Sequence, residues 1–242
     1  MKRKIITTKD GSKTIQIEAW NEQYHSIHGA INEANHVFIK HGLLHFFYKD
    51  TIPMLNDDAY FDGAGNLSKE AANILEIGFG TGLNAFLTAL NAKALNLNIN
   101  YVGVEAYPVQ SNELEALNYV DLIDASQSEL FDNIHQSKWG NQIAVTPNFI
   151  LTKQKKFFED ISDKNCYDII YFDAFGARVQ PDLWSASIFR SMYDALKDNG
   201  VLVTYAAIGR VKRLMKDLGF AVERLDGPPG KRHMLRATKV KS

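Results

Sequence analysis

Residues 73–86, NILEIGFGTGLNAF, decide the fold. Ile74, Leu75 and Ile77 read as an apolar strand, Gly78, Gly80 and Gly82 follow at alternate positions, and an apolar helical pattern begins at Leu83. A strand that runs through glycines into a helix turns backbone N–H groups and a helix N-terminus toward the crevice at the strand end, where a ligand binds. The dinucleotide fingerprint G-x-G-x-x-G would need a glycine at 83, and Leu83 stands there. The pattern is G-x-G-x-G, which leaves a nicotinamide cofactor and a purely structural turn as the weaker alternatives to another nucleoside ligand.

The same rhythm repeats outward from this turn. Apolar runs at 73–78, 99–105, 147–152, 167–173 and 200–206 alternate with amphipathic segments such as FLTALNAKAL and WSASIFRSMYDALKDNG. Short apolar strands alternating with helices predict a doubly wound, mostly parallel α/β sheet of the Rossmann-like kind. AVERL and HMLRAT, separated by DGPPGKR, predict a closing antiparallel hairpin. Ahead of the sheet, two β-rich arms flank Asp10-Gly11, a dipeptide suited to a tight turn. Ile27, Ile31, Ala34, Phe38 and Ile39 then recur at helical spacing. Residues 1–70 are thus expected as a hairpin-and-helix accessory layer, and 71–242 as the α/β domain.

Composition narrows the function classes. With 242 residues, 45% of them hydrophobic, the chain can bury a sizeable core. It holds no long apolar run and no leader pattern, so a soluble cytoplasmic protein with no membrane partner is expected. Cys166 is the single cysteine, which rules out an internal disulfide; just before an apolar run, it reads as a small buried hydrophobe. No metal site is expected. Net charge is -1, yet residues 200–242 carry ten Lys or Arg against three acids. That asymmetry fits either a solvated basic face or a patch for a phosphate backbone.

The G-x-G-x-G turn, with Glu76 two residues ahead of it, resembles the S-adenosylmethionine loop of class I methyltransferases. On that resemblance Glu76, Gly78, Phe79, Gly80, Gly82 and Asn84 line the cofactor loop. Glu105, at the end of YVGVEAYP, stands where a carboxylate accepts the ribose hydroxyls. Lys153, after the third strand, either covers the adenine edge or points to solvent. Asp173 ends the fourth strand, beside the glycine turn in such a sheet. There a carboxylate can accept an amine N–H, orient the nitrogen and help its proton leave; capping the next helix is the plainer alternative. DAFG shares the acid and the aromatic of the Asp/Asn-Pro-Pro-aromatic tetrapeptide of base amino-methyltransferases, without its prolines, and Phe175 can stack on a base.

Six stretches taken in order, NEQYHSIHGAINEANHVFI, LEIGFGTGLNAFLT, YVGVEAYP, FDAF with QPDLW, VLVTYAAIGRVKRLMKDLGF and GPPGKRHMLRA, resemble the tRNA 5-methylaminomethyl-2-thiouridine methyltransferase family. The resemblance implies S-adenosylmethionine-dependent methylation of an aminomethyl group on the wobble uridine. It also implies the tRNA anticodon loop as partner, together with enzymes that supply the aminomethyl precursor. Some members are fused to an FAD-dependent oxidoreductase, for which this chain has no counterpart. Tyr24 and His25 would roof the site, with hairpin packing as their alternative role, and Lys231 and Arg232 would meet RNA phosphates near its rim. The family's post-strand loop carries a proline and a basic residue where Ala177 and Val179 stand, and Arg178, next to them, is the candidate substrate contact of this loop. An aminopropyltransferase of the spermidine synthase type and a non-catalytic tRNA-binding module are the rival readings. Only Asp173 stands out as an acid for the first of these.

Overall fold

The computed structural model describes residues 2–49 and 71–241; the last part of the expected 1–70 layer lies outside the described residues. The chain begins with β1 (Arg3–Thr7), β2 (Lys13–Ile17) and β3 (Glu22–Gln23). A helical run follows, made of α1 (Ala30–Ala34), a π-wound stretch (Asn35–Leu44) and α2 (His45–Tyr48). Next come β4 (Ala71–Ile77), α3 (Leu83–Ala94), β5 (Asn98–Val104), α4 (Ser111–Glu115), α5 (Tyr119–Ile123), α6 (Ser128–Gln136), β6 (Gln142–Thr146) and β7 (Phe149–Gln154). The last part holds β8 (Tyr167–Phe172), α7 (Ala186–Ala195), β9 (Leu196–Thr204), α8 (Gly209–Asp217), β10 (Phe220–Asp226) and β11 (His233–Lys239).

Eight strands form one sheet in the order β10, β11, β9, β8, β4, β5, β7, β6. The five strands from β9 to β7 are mutually parallel, whereas β11 pairs antiparallel with β9 and β10, and β6 antiparallel with β7. The five strands read from the sequence and the closing hairpin are all present. β6 was not foreseen: it is an edge strand whose Ile143 and Ala144 face solvent, so no apolar run announces it. From β4 the chain winds out through β5 and β7, then returns to β8 on the other side. The crevice of a doubly wound sheet opens at such a reversal, here between the carboxyl ends of β4 and β8.

Alternation along the strands fills two cores. Ile74, Tyr101, Leu151, Ile169, Tyr171 and Val203 pack with the 30–48 helical run, α3 and α6 on one face; Leu75, Ile77, Ile170, Phe172 and Leu202 pack with α7 and α8 on the other. Residues 37–39, 42–44 and 46–48 are buried in groups about four to five apart. That spacing exceeds the 3.6-residue α period and matches π winding, which keeps one stripe on the sheet. Gly42 is at the contact, where a β-carbon would come within 3.0 Å of the Tyr171 ring. Ile27, grouped with the helix by spacing, precedes it and is exposed.

The N-terminal strands make a separate three-stranded antiparallel sheet that turns at Asp10-Gly11, with Gly11 at φ +83°. The Asp10 carboxylate accepts the Thr8 hydroxyl (2.7 Å), the Ser12 N–H (3.0 Å) and the Asn32 N–H (3.1 Å), so the turn is tied to the helical run. Cys166 corrects the sequence reading. It is exposed in the turn before β8, and burial begins one residue later at Tyr167. No helix among the described residues is long and apolar enough to cross a membrane.

Gly103 on β5 faces Phe79 so closely that a β-carbon would lie 2.2 Å from its ring. Gly103→Ala should therefore cost ~1–3 kcal/mol in urea unfolding as the ring is displaced. An unchanged midpoint would show that Phe79 moves aside freely.

Candidate active site

The glycine turn is pinned to the neighbouring strands. Both Gly78 and Phe79 donate their N–H to the Val104 carbonyl at 3.0 Å, and α3 starts directly after Gly82. Gly78 has φ +90°, and a β-carbon there would lie 2.6 Å from the Asp173 carbonyl oxygen. Only glycine lets the turn and the end of β8 approach this closely. Over the turn sits Tyr24, whose ring would be 3.0 Å from a β-carbon on Gly80.

A cleft of about 1180 Å³ opens here, large enough for a nucleoside cofactor beside a second ligand. Gly78, Phe79, Gly80, Asn84, Glu105, Asp173, Phe175, Tyr24, His25 and Lys231 all line it. The Glu105 carboxylate accepts the Gly80 N–H through Oε2 (3.2 Å) and the Tyr107 N–H through Oε1 (2.9 Å). Each oxygen keeps a lone pair free for a ribose hydroxyl. Tyr107 and Phe157, 61% and 51% exposed, meet edge to face at the rim.

Asp173 faces the cleft from the end of β8, with Oδ2 accepting the Asn84 amide at 2.9 Å. Burial pushes its carboxyl up to about 7, reinforced by the charge of Glu33; the Asn84 hydrogen bond and Lys231 act in the opposite direction. Phe175 packs edge to face with Tyr24 (4.9 Å) and Trp20 (5.6 Å), forming an aromatic wall. Its carbonyl accepts the indole N–H of buried Trp184 at 2.8 Å, so the Pro181–Trp184 turn fixes this loop from behind.

Several residues singled out in the sequence stand elsewhere. Glu76 is fully buried beneath the cleft, where its Oε1 accepts the Asn84 amide at 2.9 Å; it reaches the cleft only through that residue. Gly82 faces α6, with the His135 ring 2.8 Å from the position of a β-carbon. Lys153 does not point to solvent. It is 2% exposed, donates to the His135 carbonyl (2.7 Å) and lies by the faces of Trp139 and Phe79. Its place on β7 alternates with Phe149 and Leu151, on the core face.

Arg178 is likewise spent internally, bonding the Trp20 and Asn21 carbonyls and the Glu22 carboxylate at 2.9–3.1 Å. His25 has Thr14 at its Nδ1 (2.9 Å) and Thr81 at its Nε2 (3.4 Å), and burial lowers it to about 4. It acts as a neutral bolt between hairpin and glycine turn. Lys231 pairs with Glu33 and lies 3.7 Å from the centre of the Tyr205 ring, while Arg232 is exposed outside the cleft wall.

Glu22, Glu33 and Tyr205 line the cleft and were not singled out from sequence. For Glu33 a signal was present: it interrupts the buried stripe between Ala30 and Val37. An acid inside an apolar stripe is a buried polar group that needs a partner.

The residues at the turn fit S-adenosyl-L-methionine, through the glycine cradle and the partly free Glu105 carboxylate. Residues 132–240 match a family described as S-adenosyl-L-methionine-dependent methyltransferase. The tRNA 5-methylaminomethyl-2-thiouridine biosynthesis bifunctional protein MnmC of Burkholderia thailandensis is 26% identical over 96% of this chain and 34% of its own length. Its counterpart in Burkholderia mallei matches to the same extent, so the chain spans about a third of these relatives. In structure, MNMC2 from Aquifex aeolicus aligns with all of this chain and 71% of its own at TM-score 0.75 and 19% identity. Spermidine synthase from Thermotoga maritima aligns with 98% and 69% at TM-score 0.56 and 14% identity.

Because the folded value of Asp173 lies above the ordinary 3.8, the stability tied to its protonation is complete below about 3.8 and is lost as pH rises through about 7. Asp173→Asn should then stabilise the protein at pH 8 by on the order of 1 kcal/mol, discounted for its partial exposure to cleft water. In thermal melts the gain should vanish toward pH 4. A destabilised variant at pH 8 would contradict the assigned protonation.

The cofactor is S-adenosyl-L-methionine, and in sequence the chain is a relative of the tRNA 5-methylaminomethyl-2-thiouridine biosynthesis bifunctional proteins over the third of their length that it spans, built on a methyltransferase fold.

Proposed function

We propose that the protein methylates the primary amine of 5-aminomethyl-uridine, with or without 2-thiolation, at the wobble position of tRNA, giving 5-methylaminomethyl-uridine. The observation that carries this reading is Asp173, a carboxyl raised to about 7 at the cleft end of β8 against the glycine turn. The MnmC relatives, named for tRNA 5-methylaminomethyl-2-thiouridine biosynthesis, suggest the substrate. S-adenosyl-L-methionine supplies a methyl group on a sulfonium sulfur that departs as a thioether.

The amine must arrive neutral, since an alkylammonium has no lone pair, and the buried cleft disfavours a second cation beside the sulfonium. Asp173 accepts one N–H and so orients the lone pair toward the methyl carbon. The surplus proton that methylation would leave on the nitrogen would pass to the Asp173 carboxylate and on to solvent. A group poised near 7 is matched to both halves of that task. Phe175, with Trp20 and Tyr24 around it, offers an aromatic surface for the unstacked uracil.

For the anticodon loop, the phosphate track is the exposed side of α8, with Arg210, Arg213 and Lys216, together with Arg232. Lys231, Arg236 and Lys239 are occupied by Glu33, Glu223 and the Leu196 carbonyl respectively. Enzymes that build the aminomethyl precursor on tRNA are the expected upstream partners, and the cytoplasm, where such tRNA is handled, is the expected compartment.

The structure brings Glu22 and Glu33 to the same cleft as Asp173, which favours a polyamine-binding alternative of the spermidine synthase type. Charge decides against it. Glu22 is neutralised by Arg178 at 2.9 Å and Glu33 by Lys231, so one carboxyl remains for the substrate.

Mass spectrometry of wobble nucleosides, after incubation of protein and cofactor with tRNA bearing the aminomethyl group, should show the gain of one methyl. No gain overturns the assignment, and turnover of putrescine instead establishes the alternative. Asp173→Asn should lower the single-turnover rate by about 100-fold or more. Replacing Arg210, Arg213 and Lys216 together by Gln should reduce the salt slope of tRNA binding by roughly 2.

A further inference from the structure

Glu76 is a fully buried carboxyl that the reaction does not touch. The Asn84 side-chain nitrogen spends both its hydrogens on carboxyls, one on Glu76 Oε1 and one on Asp173 Oδ2, each at 2.9 Å. One amide therefore bridges the interior to the cleft. Turned by half a rotation, the same amide would present its oxygen to Asp173 and repel the carboxylate. With the nitrogen turned to both carboxyls the Asn84 oxygen is buried without a partner, so the amide's orientation rests on Glu76 Oε1 and Asp173 Oδ2 together.

We propose that Glu76 is the positioning residue for Asp173, acting through Asn84 rather than on the cofactor. Three features support this. Glu76 is outside the cleft lining, its Oε2 is buried without a hydrogen-bond partner, and the charged or titratable groups acting on it are Asp173, Glu105 and Tyr101, with no cation among them. Tyr171 also stands close enough to feel it. In such surroundings Glu76 is the uncharged acid, since burial pushes its carboxyl far up. An uncharged acid still offers its carbonyl oxygen to Asn84 and adds no repulsion toward Asp173. The groups facing Asp173 from other elements are Glu33, Lys231, Asn84, Tyr205, Tyr101 and Glu76 itself, and among the described residues Asn84 is the side chain that donates a hydrogen bond to it.

This inference rests on the reading of Asp173 as the amine-orienting group, and its test is chosen to separate the two. Glu76→Gln keeps a neutral acceptor, whereas Glu76→Leu keeps the volume and removes it. Three quantities are read: the Asp173 titration in the free protein by carbon-13 NMR, the affinity for S-adenosyl-L-methionine by calorimetry, and the pH profile of single-turnover methyl transfer. Glu76→Gln should hold the rate and the affinity within about threefold and leave the titration in place. Glu76→Leu should keep the affinity but raise the Asp173 titration by about one unit, because the carboxylate loses an oriented donor. Its rate at pH 7 should fall about tenfold and recover in part at higher pH.

If Glu76→Leu does not fold, Asn84→Ala carries the same expectation for the titration, and Glu76→Gln added to it should change nothing further. An Asp173 titration unmoved by Glu76→Leu or Asn84→Ala overturns the proposal. So does a large loss of cofactor affinity in Glu76→Gln, which would mean that Glu76 serves the cofactor as a charge. Absence of methyl transfer to aminomethyl-uridine by the unaltered protein would count against the proposed function alone, because the titration is read without substrate.

Discussion

The close approach of Gly78 to the Asp173 carbonyl is the constraint on which the site depends. Two adjacent parallel strands, β4 and β8, end side by side, and the turn leaving one must pass over the terminus of the other with no room for a side chain. Adjacent strands alone would leave a carboxylate near the cofactor. The missing β-carbon lets it stand directly beside the cofactor turn, and the backbone hydrogen bonds from Gly78 and Phe79 to Val104 hold that turn in register with Glu105 on the far side. One turn thus sets the distance between the Glu105 and Asp173 carboxyls across the cleft.

The roof is held differently from the floor. The sheet packs two continuous hydrophobic cores, whereas the N-terminal strands reach the cleft through polar ties: Arg3 to Glu113, Arg178 to Glu22, Lys231 to Glu33, and His25 between Thr14 and Thr81. Exposed pairs such as Arg178–Glu22 each contribute about 0–1 kcal/mol, so this layer owes its position to the sum of several weak ties.

The sheet was legible because its evidence is local. Apolar runs, three glycines and an acid at a strand end are each contained in a few adjacent residues. What escaped the sequence was the direction of side chains and the partner each one finds. Lys153 follows the third strand as an adenine contact would, yet the two-residue alternation of β7 turns it to the core with Phe149 and Leu151. Arg178 looked free, but its partners lie more than 150 residues earlier. Ala34, Phe38 and Ile39 fell on the buried stripe as spaced, but Ile27 precedes the helix and is exposed, and Cys166 fell one residue short of the buried strand. Glu33 was the readable exception, an acid in an apolar stripe whose partner came from the far end of the chain.

Those long-range pairs also settle the charge of the cleft. Counted by position alone, Asp173, Glu22 and Glu33 in the cleft wall would suit a polycation. Counted with partners, Arg178 and Lys231 remove two of them and leave one carboxyl with an elevated protonation range. A single acid of that kind is poorly suited to bind a permanent cation, and well suited to a neutral amine that must shed one proton during reaction. Under the proposed function, the stability given up by burying Asp173 is the counterpart of that preference: an ordinary exposed carboxylate would stay ionised and hold an amine as an ammonium without a lone pair.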